Sequence, residues 1–370
     1  MVEETKSNNS ICLTEEEAAV YDRQIRLWGV EAQQRLRKSK ILLVGLSGLG
    51  NEVCKNILLA GIQHMTLLDD SKLTKEDCFN QFLTPSDMVG KSKAEACLSR
   101  AKDLNPMVDI VADNENIGDK SEEFMKKFDV VCLTGCSRDA QVKVNEICHR
   151  LGIKFLAGNV FGYYGYMFAD LGVHSYIEEI PKKVKTMKDG EGSTSAKKSK
   201  TEQPDTEVVE KVSSFCTLSE ALSVPVFKGK SLRQAKQVSK TYLVTKVLLE
   251  YQQRYGLVPN EINSQQELEK LLDVRNEVLE EQNVDNDLLD DEFCSYCVGT
   301  LYPVNAIIGG VMAQEVIKAV SGKDTPHNNF FFYDGVSTSG IVQKISPIID
   351  KMAPSVAEEK PSIDTADVIL

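Results

Sequence analysis

Residues 40–61 read KILLVGLSGLGNEVCKNILLAG, and the order of residue types in this stretch decides the fold. Lys40 to Val44 is a short apolar run ended by Gly45, which suits a parallel strand buried on both faces. Gly48 to Ala60 then reads as a helix, so Gly45, Gly48 and Gly50 lie where strand gives way to helix. Glycines there let the backbone turn sharply and approach a ligand, while the helix N-terminus offers free N–H groups and a favourable dipole to phosphate. The same glycines also suit a fold that needs only tight packing of strand on helix. His64 to Leu68 (HMTLL) is a second strand, and Asp69 at its end is placed to accept hydrogen bonds from ribose hydroxyls. The spacing is G-x-x-G-x-G rather than the dinucleotide order G-x-G-x-x-G, and no Gly-Lys-Ser/Thr follows. This predicts a nucleotide-type fold with neither a standard NAD site nor a P-loop.

Working outward, residues 14–38 read as helix. Further strands are predicted at 108–112, 129–133 and 153–157, with helices at 91–104, 120–128 and 138–151. That rhythm implies an α/β fold, a doubly wound and mostly parallel sheet. Val160 to Phe168 and Val173 to Ile177 then read as an antiparallel extension. Residues 182–207 are lysine-rich with almost no large apolar residue, and the segment 181–212 is expected to be a disordered insertion. Structure is expected to resume near Ser213, with helices at 231–254, 264–282 and 305–321 and a strand at 330–333. The chain thus divides into a flexible N-terminus (1–14), a nucleotide fold (15–180), the insertion (181–212), a helical insertion (213–295), a return to the first fold (296–345) and a loose acidic tail (346–370).

The 370 residues carry a formal net charge of −12, which repels phosphate backbones and makes nucleic acid a poor partner. No stretch approaches the ~18 continuous apolar residues of a membrane span. The opening MVEETKSNNSICLTEEE is polar and acidic, unlike a secretory signal or a transit peptide. Ten cysteines scattered through predicted helices and strands suit reduced thiols in a cytosolic or nuclear compartment.

Further segments then matter together: Tyr21 to Gly29 (YDRQIRLWG), Asn80 to Leu83 (NQFL), Val89 to Ala94 (VGKSKA), Pro303 to Ala319 (PVNAIIGGVMAQEVIKA) and Pro326 to Gly335 (PHNNFFFYDG). In this order they resemble the adenylation domains of the enzymes that activate ubiquitin-like modifiers, a Rossmann-like fold, over roughly residues 15–180 and 295–345. The length, the basic insertion and the PHNNFFFYDG ending are most similar to the smaller subunits of the SUMO branch. The resemblance implies ATP-dependent adenylation of a modifier's C-terminal glycine and its transfer to a cysteine as thioester. It also implies a heterodimer, in which a larger catalytic subunit binds ATP and Mg and carries the cysteine.

The residues that an active half needs are altered here. Where the family has an arginine after the second strand, the chain has Asn80. Where the fourth strand should end in an aspartate near the metal, it has Cys136. Loss of a cationic clamp and a metal carboxylate predicts a catalytically dead pocket, with Gly45, Gly48, Gly50, Asp69 and Lys93 as its degenerate remnant and no metal site. Cys216-Thr217 lacks the Pro-rich turn of the family's catalytic cysteine and is expected to be structural. Cys294 and Cys297 form a C-x-x-C without a second ligand pair, which points to ordinary thiols rather than zinc. Four histidines, at 64, 149, 174 and 327, show no ligand spacing to one another.

By the same resemblance, Arg23 reaches across the dimer interface to phosphate in the partner's site, as an arginine finger supplied in trans. The competing reading is a solvated helix arginine paired with Asp22 or Glu17. Gly309 and Gly310 allow either subunit approach or ordinary helix packing. Seven lysines between 182 and 200 read as a nuclear-import patch or as a solvated loop, and the resemblance favours the nucleus. A Rossmann oxidoreductase using NAD is the reading from another class. It lacks a paired His/Asp or Tyr/Lys motif for hydride chemistry.

Overall fold

The computed structural model describes residues 13–181, 206–230, 232–235, 238–256 and 264–347. Its strands are β1 (Lys40–Val44), β2 (His64–Leu68), β3 (Asp109–Asp113), β4 (Val130–Thr134), β5 (Lys154–Phe161), β6 (Tyr164–Asp170), β7 (Val173–Pro181), β8 (Thr206–Ser214), β9 (Phe330–Asp334) and β10 (Ser339–Gln343). Eight of them form one sheet in the order β10-β9-β6-β5-β4-β1-β2-β3, and β7 pairs with β8 as a separate ribbon. From β3 to β5 the neighbours run parallel. From β5 to β10 they run antiparallel. The expected α/β fold with an antiparallel extension is therefore present.

Successive side chains on a strand point to opposite faces, so a strand buried on both sides must be apolar throughout. In β1, Leu42 and Val44 join one core, with Val131, Leu133 and Phe155. Ile41 and Leu43 join the other, with Met65, Leu67 and Cys132. The first core is covered by the helices Arg138–Leu151, Lys240–Tyr255 and Gln265–Gln282. The helices Lys240–Tyr255 and Gln265–Gln282 thus belong to one layer over the sheet. The second core is covered by the helices Gly48–Ala60, Lys93–Leu104 and Tyr302–Ser321. That last helix is long and apolar enough to cross a membrane by length and composition, yet Val304, Ile308, Met312 and Val316 are buried in this core.

Several boundaries differ from expectation. The helix predicted over 14–38 is three short ones, Glu15–Val20, Asp22–Trp28 and Val30–Leu36. The breaks fall at Tyr21, whose buried ring packs on Gly61, and at Gly29, whose φ is +88°. The helix predicted over 120–128 is the single turn Glu122–Met125. The insertion expected to be disordered over 181–212 is corrected at its C-terminal end, because Thr206–Ser214 is β8, paired throughout with β7. The ribbon leaves Val208 and Val212 exposed, so no buried apolar period marks this strand in the sequence. Residues 182–205, 1–12 and 348–370 lie outside the described residues, as do the expectations for them.

Gly309 and Gly310 separate cleanly. A Cβ on Gly309 would stand 2.5 Å from Glu52 Cβ, whereas one on Gly310 would meet nothing within 4 Å. Gly309 therefore serves the crossing of the Tyr302–Ser321 and Gly48–Ala60 helices, and Gly310 faces open space. Gly309→Ala should destabilise the fold by ~1–3 kcal/mol through overpacking. Gly310→Ala should be neutral or gain up to ~1 kcal/mol of helix propensity. Urea unfolding midpoints of the two variants check this, and equal midpoints would overturn the assignment.

Candidate functional site

β1 lies between β2 and β4, and the chain crosses from β3 at one edge back to β4 on the far side of β1. At such a reversal the connections leave in opposite directions and open a crevice beyond the C-terminal ends of the strands. A cleft of about 420 Å³ lies there, lined among others by Gly45, Ser47, Asp69, Lys93 and Cys136.

Gly45 has φ +84°, and a Cβ on it would stand 2.0 Å from the Thr134 carbonyl oxygen. A Cβ on Gly50 would stand 2.0 Å from the Gly45 carbonyl oxygen. These two glycines thus satisfy the packing of β1, β4 and the helix on one another. Gly48 begins the helix after Ser47, whose side chain makes no capping hydrogen bond, and Ser47 lines the cleft. The Thr134 hydroxyl donates to the Gly45 carbonyl at 2.7 Å and pins the turn. Sequence reasoning missed Thr134; its one signal is a hydroxyl at the end of an otherwise apolar strand.

Asp69 is buried and largely committed to its own loop. One carboxylate oxygen accepts the Leu46 N–H at 2.7 Å. The other accepts the Ser71 N–H at 2.9 Å and the Ser71 hydroxyl at 2.5 Å. Asp70 beside it accepts from the Asn116 amide at 2.6 Å. The Lys93 ammonium donates to Asp77 at 3.1 Å. Asn80 closes the short helix Asp77–Asn80. Cys136 lines the cleft, and its Sγ lies 3.6 Å from the Thr134 carbonyl oxygen. Burial, then the carboxylates of Asp69 and Asp70, push its thiol up to about 12.

This donor set does not fit a magnesium triphosphate. Two carboxylates face the cleft, and the ammonium lining it is already paired with Asp77. A polyphosphate here would meet like charge with no free cation to offset it. Among the described residues, no group of three His, Cys, Asp or Glu side chains could hold a metal ion.

Arg23 does not line this cleft. It is exposed on the Asp22–Trp28 helix, which is anchored through its neighbours. Asn105 donates to the Tyr21 hydroxyl at 2.9 Å, and Gln24 donates to the Leu59 carbonyl at 2.9 Å. The carboxylates that the sequence offers to Arg23 are taken by others. Asp22 pairs with Arg26 at 3.0 Å and Glu17 with Arg37 at 2.7 Å. Cys216 is buried at the far end of the fold's return, where its Sγ lies 3.5 Å from the Ile345 carbonyl oxygen. Cys294 and Cys297 are buried as well, and burial pushes both thiols up to about 12.

Residues 21–352 match the ThiF family. The chain belongs to that family. It is 46% identical to SUMO-activating enzyme subunit 1 of Homo sapiens over 347 residues, covering 94% of this chain and 100% of that one. It is 48% identical to the Xenopus tropicalis subunit 1 over 333 residues, covering 89% and 96%. Against the Danio rerio subunit 1 it is 45% identical over 347 residues, covering 94% and 99%. The ThiF match runs from Tyr21 past β10, so it takes in Arg23, the cleft and the helices of 213–295.

The raised thiol of Cys136 has a chemical consequence. With its pKa near 12 it should hold ~10³-fold less thiolate at about pH 8 than an ordinary cysteine. Iodoacetamide labelling mapped by peptide mass spectrometry should find Cys136 far slower than Cys78, which is partly buried to a similar degree. Equal rates would refute the assignment.

Proposed function

We propose that this chain is the smaller, non-thioester-forming subunit of a heterodimeric SUMO-activating enzyme. Its larger partner binds ATP and Mg, adenylates the modifier's C-terminus and carries the acceptor cysteine. This chain contributes Arg23 in trans to the partner's phosphates and has no independent activity. The naming of the relatives as subunit 1 supports a partner subunit.

The observation that carries the reading is the state of Arg23: exposed, on an anchored helix, with both neighbouring carboxylates engaged elsewhere. A guanidinium held out from the surface without a local counter-charge is ready for phosphate supplied from outside. Leu27, four residues on and so on the same helix face, is 78% exposed, which suits burial against a partner. The poor fit of the chain's own cleft to a triphosphate supports the same division of labour.

Reconstitution tests this. The isolated chain should catalyse no ATP–pyrophosphate exchange, and exchange should appear when the larger subunit is added. Robust exchange by the chain alone would sink the reading. Arg23→Ala should slow adenylation by about 10²-fold, the scale of losing one charge-stabilising group, while leaving co-elution of the two subunits intact. Nuclear residence is proposed from the lysines between 182 and 200. Replacing them with glutamine in a fluorescent fusion should abolish nuclear accumulation of the chain expressed alone; unchanged accumulation would remove that role.

A further inference from the structure

The crossover from β3 to β4 has a single turn of α-helix, Glu122–Met125, too short to roof the sheet beside it. β3 is the edge strand, so part of its face on the side of the first core stays open, and Val111 there is 46% exposed. The registers Lys40↔His64↔Asp109 and Thr66↔Val111 put these side chains on that one face. A second cleft, of about 600 Å³, lies over them, toward the end of the sheet where β1 and β2 begin. The nucleotide-type cleft is at the other end.

Phe124 and Phe128 wall this cleft, edge to face with ring centroids 5.2 Å apart, and His64 stacks on Phe128 at 6.5 Å. With Val111 they give it an apolar wall on which a further aromatic ring can pack. The polar groups divide by whether they are already engaged. His64 Nδ1 lies 2.6 Å from the Asp109 carboxylate and Nε2 lies 2.9 Å from the Thr66 hydroxyl. Asp113 accepts from Lys120 at 2.5 Å. Asp109 is 72% exposed, so water weakens its field in the cleft. The Lys40 and Lys127 ammoniums remain. Among the described residues neither is paired with a carboxylate, and Lys127 Nζ stands 5.4 Å from the centroid of Phe124.

We propose that this cleft is a binding site for a small aromatic carboxylate. The ring packs against Phe124, Phe128 and Val111, and the carboxylate lies at Lys40 and Lys127. An apolar wall with a few unengaged polar groups, in a cleft of this volume, is what holds and orients a small ligand. Both parts are needed. Exposed ion pairs are weak by themselves, so an inorganic anion gains little at two lysines. A neutral aromatic gains the wall but leaves the two ammoniums without a counter-charge.

Titrating 2-naphthoate into the full chain, with its valine and alanine methyls isotope-labelled for NMR, tests this. Saturable shifts should appear at the methyls of Val111 and Ala112, and not at Ala140 in the nucleotide-type cleft. The neutral isostere 2-naphthamide should bind several-fold more weakly, and inorganic phosphate at equal concentration should not displace 2-naphthoate. Lys40→Gln combined with Lys127→Gln, both at exposed positions, should weaken binding by about 5-fold, the scale of exposed ion pairs. Lys102→Gln combined with Lys228→Gln, exposed elsewhere, should leave it unchanged. The proposal is overturned by no saturable shift at Val111 with millimolar 2-naphthoate, or by equal shifts at Ala140. Equal affinity for 2-naphthamide, displacement by phosphate, or unchanged binding in the Lys40/Lys127 variant overturns it as well.

Discussion

The fold turns on a close approach of backbone to backbone. The Thr134 carbonyl oxygen occupies the space within 2.0 Å of where a side chain on Gly45 would begin, and the Gly45 carbonyl does the same to Gly50. Only residues without a Cβ let β1, β4 and the following helix meet at this distance. That meeting places the end of β1 beside the end of β4 at the point where the strand order reverses. The cleft, the commitment of Asp69 to the Leu46 N–H and the position of Cys136 all follow from it.

The cleft and Arg23 lie apart in this fold. The cleft keeps the architecture of a nucleotide site, but its carboxylates outnumber its cations and its lysine is tied to Asp77. Arg23 keeps an unengaged charge, but it sits on a helix away from the cleft, held by the hydrogen bonds of Tyr21 and Gln24. The YDRQIRLWG motif is thus mainly an anchor: Tyr21 and Gln24 fix the helix, and Trp28 donates to Gln33 at 2.9 Å. Electrostatic economy explains the rest, because salt bridges among neighbours leave one guanidinium facing outward.

The parallel half of the sheet was legible because burial on both faces demands unbroken apolar runs, and KILLV, HMTLL and VVCLT supply them. β8 was not, because a two-stranded ribbon exposes valines and buries none by period. β10 was missed for a related reason: as an edge strand, most of its residues are exposed, and its signal is only pairing with β9. The division of helix 14–38 was also hidden, since Tyr21 and Gly29 fit a helical pattern until Gly61 and the sheet are in place.

What the sequence determined by itself is the class of fold, the glycine turn and the identity of the candidate site residues, since period, glycine spacing and charge are local properties of the chain. Whether Gly45 and Gly50 face a ligand or a backbone, whether Arg23 is paired or unengaged, and whether Asp69 is available or already bound were decided only in three dimensions. Each of these depends on partners brought together from 20 to 90 residues away. Hydrogen-bonding and ionic capacity is finite, and only the tertiary structure shows which groups have already spent it.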